Sequence, residues 1–129
     1  MPLSKRNIKS TFTSDGTGSA ASAAFNMKLA RDEKLLTLYI PQVFDVKAGT
    51  GGTKFTGSVT LPVWARPHAT VRFPVIVKEA GTVNTVLGVL EVSTAGVMSL
   101  YTDAVEGVWT TSTSANSGIE ATCVTYLCK

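Results

Sequence analysis

The sequence predicts an all-β domain, a sandwich or barrel of about six to eight short strands. Two positive observations carry that reading. Eighteen Thr and fifteen Val, both β-branched, dominate the 129 residues, and such side chains suit pleated strands better than helices. Apolar and polar residues also alternate over short runs that are separated by glycine, proline and acidic turn signals. A third observation removes competitors. Helical crossovers between the runs are missing, which excludes parallel α/β folds, and no fixed-period repeat supports a solenoid or propeller.

Taken in chain order, residues 1–22 read as a polar, basic N-terminal arm and 23–129 as the folded domain. The arm ends in Ser14-Asp15-Gly16-Thr17-Gly18-Ser19-Ala20-Ala21-Ser22, a flexible linker by composition. Ala23 to Leu36 is open between two readings. It is rich in helix formers, with Phe25 and Leu29 four apart, yet Phe25, Met27 and Leu29 alternate with Asn26 and Lys28 at strand period. On the strand reading, Arg31-Asp32-Glu33-Lys34 turns a hairpin. Leu36, Leu38 and Ile40 then share one strand face, and Pro41 requires a bulge or an edge because it lacks an amide donor.

Lys47–Thr53 is a glycine-rich loop. Strand patterns follow at Val59, Leu61 and Val63, at Val71 to Val77, and over Thr85–Val92 with Val86, Gly88, Leu90 and Val92 on one face. Ser93-Thr94-Ala95-Gly96 sets a glycine where a short hairpin wants positive φ. Val97–Tyr101 returns, and Ile119–Leu127 closes the domain.

Only 16% of the chain is charged, with a formal net charge of +3. No apolar run approaches the roughly 20 residues of a membrane helix, so no membrane insertion is expected. The basic N-terminus lacks the apolar core of a secretory signal. Lys5, Arg6 and Lys9 cluster in the arm, where Asp15 is the first acid. They fit either a contact arm for nucleic acid or an acidic protein surface, or a solvated tail. Cys123 and Cys128 are five apart, which on a strand puts them on opposite faces and argues against a mutual disulfide. A single histidine completes no zinc site, and no metal or cofactor is expected.

Catalysis has little to stand on. His68 would need Cys123 from a distant strand, and Asp103, Glu106, Glu91 and Glu120 form no recognisable carboxylate pair. The 49–52 loop lacks the Lys-Ser/Thr of a phosphate loop. The chain is read as non-enzymatic. Binding has better candidates. Trp64 with Arg66, and Trp109 with Asp103 and Glu106, lie in or beside loops, where an indole either stacks on a sugar or protein surface or plugs the core. The second role suits Trp64 better. Thr102–Ser117 is long enough to be functional rather than a minimal connection.

An ordered series then stands out: Leu36-Thr37-Leu38-Tyr39-Ile40-Pro41, Gly57-Ser58-Val59-Thr60-Leu61-Pro62, Ala65-Arg66-Pro67, Phe73-Pro74-Val75-Ile76-Val77, Gly88 through Val97, and Val124-Thr125-Tyr126-Leu127. The series, covering about residues 25–127, resembles the small jelly-roll β-sandwich modules of bacteriophage and large DNA virus structural proteins. Such modules serve as fibre heads, spike tips or capsid-decorating proteins. The resemblance implies an antiparallel jelly-roll-like sandwich, a strand at 25–29 and a homotrimer. It also implies a virion protein assembled in the host cytoplasm, docked on other capsid proteins through the arm. The chain lacks the shaft of a fibre head, so a minor capsid or decoration protein fits better than the alternative, a receptor- or glycan-binding head.

Overall fold

A computed structural model describes residues 4–129. It is all-β, with antiparallel pairing throughout and no α-helix among the described residues. The first four strands are β1 (Ser4–Ser10), β2 (Phe12–Ser14), β3 (Phe25–Asp32) and β4 (Leu35–Ile40). β3 alternates as the strand reading requires: Phe25, Met27 and Leu29 are buried while Asn26 and Lys28 are exposed. The Glu33-Lys34 turn joins it to β4, whose Leu36, Leu38 and Ile40 are fully buried. Helix propensity in this segment loses to an alternating face that a sheet can bury.

The largest departure from expectation is at the N-terminus. Residues 4–22 are not a detached arm but part of the fold. β1 pairs with β3 from Ser4↔Arg31 to Ser10↔Phe25, and the chain then crosses at Thr11 into a second sheet. There β2 pairs with β6 (Phe55–Gly57). Phe12 is 0% exposed, and its ring stacks on Phe25 with centroids 5.1 Å apart. The serines that made the segment look like a linker are largely internal. Ser14 Oγ donates to the Ala48 carbonyl at 2.8 Å, and the Phe12 amide donates to Ser22 Oγ at 3.0 Å. Short hydroxyl side chains here replace ladder bonds where the chain leaves the sheet.

Pro41 ends β4, and β5 (Val43–Val46) joins a third sheet. The expected strand at Val59–Val63 is absent. Proline at 62 has no N–H to give a ladder, and the chain makes a 3-10 turn at Val63–Ala65, with Leu61 buried and its amide bonded to the Gly96 carbonyl at 2.9 Å. β7 (Val71–Val75) and β8 (Val77–Glu79) form one run that changes sheet at Ile76, and β9 (Thr82–Val83) pairs back on β8. β10 (Gly88–Val92) starts later than the alternation suggested, so Val86 is not on its buried face but exposed. The hairpin at 93–96 forms, with Gly96 at φ 83°, and leads into β11 (Met98–Tyr101). β12 (Ser117–Ile119) and β13 (Thr122–Leu127) finish the chain.

The three sheets run β1-β3-β4-β13, β2-β6-β11-β10-β7 and β5-β12-β8-β9. Together they make a β-sandwich-like body. The inner faces of the first two sheets supply Met27, Leu38, Phe55, Leu90 and Leu100, while Val43, Val46, Val77 and Ile119 carry the third sheet into the same core. Most connections switch sheets, so each sheet depends on strands from distant parts of the sequence. The 47–53 loop is no loose connection. Thr17 bridges to Thr50 and Gly49 to Ser112, with Ala48 buried beneath.

Asp15 stitches this region together. Its Oδ1 accepts from the Thr53 amide at 2.8 Å and the Lys54 amide at 3.2 Å, and its Oδ2 from the Thr53 hydroxyl. Partial burial pushes its pKa up, but the bonds from Lys54 and Thr53 outweigh that and hold it below the ordinary value. A lowered folded-state pKa means the ionised form supports the fold above the unfolded value, about 3.9, with the support lost as pH falls through the folded pKa. The urea midpoint of Asp15→Asn should therefore lie below that of the parent chain at neutral pH and converge with it as pH falls through the lowered folded-state pKa. A gap that stays constant with pH would show that ionisation plays no part.

Candidate functional site

The 82–87 connection and the 102–116 loop lie side by side, joined by Glu79 at the end of β8. Glu79 Oε1 accepts from the Thr110 amide at 2.7 Å, and its Oε2 accepts from the Asn84 side-chain amide. Asn84 also reaches the Thr102 hydroxyl, and its own backbone amide donates to the Val77 carbonyl at 2.9 Å. Between the two segments lies a shallow depression of about 350 Å³, lined by Glu79, Asn84, Val86, Thr102, Asp103 and Val108 among others. Val83, Val86, Leu87, Val105 and Val108 are all half exposed or more, Val105 to 84%. Single exposed apolar residues are ordinary. Here Val86 and Val108 line one depression, and Val83, Leu87 and Val105 are exposed on the same two segments, a concentration of the kind that marks an interaction surface.

Asp103 builds this surface rather than acting as a free carboxylate. Its Oδ1 accepts from the amides of Val105 and Gly107, each at 3.0 Å, fixing the turn that displays Val105. Glu106 is exposed in that turn at φ 57°. Together with burial and Glu91, it pushes the Tyr101 hydroxyl above its ordinary pKa, burial being the largest cause.

Trp109 is not available as a stacking platform. It is 1% exposed, with its ring stacked on Phe55 at 3.9 Å and 16°, and its amide donates to the Gly52 carbonyl at 2.8 Å. The indole pins the long loop to the core, and a sugar ring cannot reach it. Its Nε1–H has no hydrogen-bond partner among the described residues. Trp64 is half buried against the core in the 3-10 turn, and its carbonyl accepts from Arg31 at 2.6 Å. Arg66 donates to the Leu61 carbonyl at 2.9 Å. Both therefore brace a turn, and neither lines the depression beside Val86 and Val108.

The remaining candidates are scattered. His68 and Cys123 do not meet: the His68 amide bonds the Leu127 carbonyl, and Cys123 lies four residues back along β13, about 13 Å away. Glu91 pairs with Arg72 at 3.5 Å, and Glu120 accepts from the Gln42 side chain at 3.1 Å. Cys123 is exposed and Cys128 buried, on opposite faces of the closing strand and its extension. No three His, Cys, Asp or Glu residues cluster as a metal site among the described residues.

The basic residues behave differently from an arm. Lys5 and Lys9 stand on the outer face of the first sheet, while Arg6 shares the row of buried Leu29 at the sheet's edge. Lys28, a basic residue outside the expected contact arm, stands on the same outer face as Lys5 and Lys9. The signal was present in the alternation of Lys5, Asn7 and Lys9 with Arg6 and Ile8, once residues 4–10 are read as a strand.

Comparison with known proteins adds no family: no family model matches the chain, and no curated protein does.

Proposed function

We propose that this chain is a non-enzymatic structural protein of a virus particle, a minor or decoration subunit of the capsid. It works by assembly, as a homotrimer with a jelly-roll-like plan. The observation that carries the reading is the exposed pair Val86 and Val108 in one depression, with Val83, Leu87 and Val105 exposed on the same two segments, which Glu79 and Asp103 brace. A loop surface held this firmly, and left this apolar, suits subunit contact better than solvent. The sparse charge agrees: Arg72–Glu91 is the one salt bridge among the described residues. The frequent switching between sheets suits the resemblance to viral jelly-roll modules. Because residues 4–22 belong to the sandwich, attachment to other capsid proteins falls to exposed faces rather than to an arm. The glycan-binding alternative has lost its anchor with the burial of Trp109.

Sedimentation equilibrium tests the assembly. The parent chain is expected at three times the monomer mass, and the double variant Val86→Lys/Val108→Lys at the monomer mass with unchanged circular dichroism. Each buried valine contributes about 1.5–3 kcal/mol, so losing both should weaken association at least about a hundredfold. A parent chain that is monomeric at all concentrations, and absent from purified particles, would overturn the proposal.

A further inference from the structure

The outer face of the sheet β1-β3-β4-β13 carries a second surface, of opposite character to the apolar loops. Directly paired residues share a face, so the register places Lys5, Asn7 and Lys9 of β1 beside Ala30, Lys28 and Asn26 of β3. Thr37 and Tyr39 of β4 follow, then Thr125 and Cys123 of β13. Lys5, Lys28 and Lys9 thus form a zigzag with steps of about 7 Å along the strand direction and about 5 Å across it. All three are exposed, and none takes part in a salt bridge among the described residues. Asp32 stands at the far end of β3, one row beyond Ala30 and away from Lys9.

The surface is also shaped. Ala30 has too small a side chain to fill its place between longer neighbours, and a depression of about 230 Å³ lies there, walled by Lys5, Lys28, Thr37 and Tyr39. The Lys28 ammonium sits 5.8 Å from the centroid of the Tyr39 ring. That contact holds the cation beside the depression rather than letting it swing free.

We infer that this face binds a single strand of nucleic acid, its phosphates running along Lys5, Lys28 and Lys9. The charge is complementary, and the short steps between cations suit a chain with one phosphate per residue. Asn7, Asn26, Thr37 and Thr125 add neutral donors and acceptors within the same surface, and Tyr39 offers an aromatic edge beside the depression. A membrane surface is a poorer fit. The exposed apolar pair on this sheet, Leu35 and Leu127, lies toward the Asp32 end, away from Lys9. The inference stands independently of assembly through the loops.

Fluorescence anisotropy with a labelled oligothymidylate, read against salt, tests it on the full chain. Three lysines neutralising three phosphates predict a slope of about −2 in log affinity against log salt. That is a loss of roughly 20-fold between 50 and 200 mM. Lys5→Gln/Lys9→Gln/Lys28→Gln should abolish the binding. The control Lys47→Gln/Lys54→Gln/Lys129→Gln, which removes the same charge elsewhere, should retain at least half the slope. Absence of binding at 50 mM salt, or equal loss in both triple variants, overturns the inference. So does equal affinity for polyglutamate, which would assign the face to an acidic protein instead.

Discussion

Phe12→Ala is expected to destabilise the fold by about 3–5 kcal/mol, a large part of the 5–15 kcal/mol that holds a domain together. The reason lies in what Phe12 touches. Its ring is fully buried and stacked on Phe25, so it ties β2 in the second sheet to β3 in the first. Truncation to alanine leaves a cavity between two sheets whose backbones are fixed by their own ladders and cannot collapse into it. Removal of residues 1–14 should go further and prevent folding. It strips β1 from the edge of β3 and exposes Phe25, Met27 and Leu29. Urea denaturation of the point variant, and circular dichroism of the truncated chain, decide the matter. A truncated chain that folds with the parent's stability would restore the detachable arm and remove the basis for placing Lys5 and Lys9 on a sheet.

The same segment shows how far the sequence could be read. Alternation made β4 legible and offered β3 as one of two readings, because one face of each is buried and the period of two survives in the residue types. β1 and β2 were hidden for two physical reasons. β1 is an edge strand whose outward row of Lys5, Asn7 and Lys9 is polar and whose inward row ends in Ser10, so hydrophobicity barely alternates. β2 has three residues, and the serines around it are buried through hydrogen bonds that composition cannot display. The false strand at Val59–Val63 is the converse case: the alternation is real, but Pro62 denies it a ladder.

The candidate surfaces were less legible than the fold. Asp103 and Glu106 were singled out as acids beside a tryptophan, and they do belong to the exposed loop. Val86, which lines the depression with Asp103, had been assigned by alternation to a buried strand face. Only the Glu79 and Asn84 bonds, formed between segments distant in sequence, bring the two loops together. Burial of Trp109 was open in the same way, since a loop indole and a core indole have identical local sequence. What separates them is Phe55, more than fifty residues earlier in the chain.

Gly118→Ala should be as damaging as the loss of Phe12, through the backbone rather than the core. Gly118 is the middle residue of β12, which is held between β5 and β8, and the pairing with β5 slips between Ser117↔Val46 and Ile119↔Val43. At that slip the two backbones come together. A Cβ on Gly118 would lie 1.7 Å from the Val43 carbonyl oxygen and 2.8 Å from its carbon. Neither atom is the end of a flexible side chain, so β5 and β12 must part for alanine to fit. The residue also sits at φ 155°, where L side chains are rarely found. Overpacking of this kind and backbone strain each cost about 1–3 kcal/mol, giving an expected loss of roughly 3–5 kcal/mol. Gly51→Ala separates the two causes. Gly51 has φ 77° but open space around its Cβ position, so strain alone should cost it about 1–2 kcal/mol. Amide exchange then locates the damage: in Gly118→Ala protection should fall first in Val43–Val46 and Val77–Glu79, the strands on either side of β12. Equal, small losses in both variants would mean that the third sheet is loose enough to admit a methyl group, and that β12 is not the fixed seam between its neighbours.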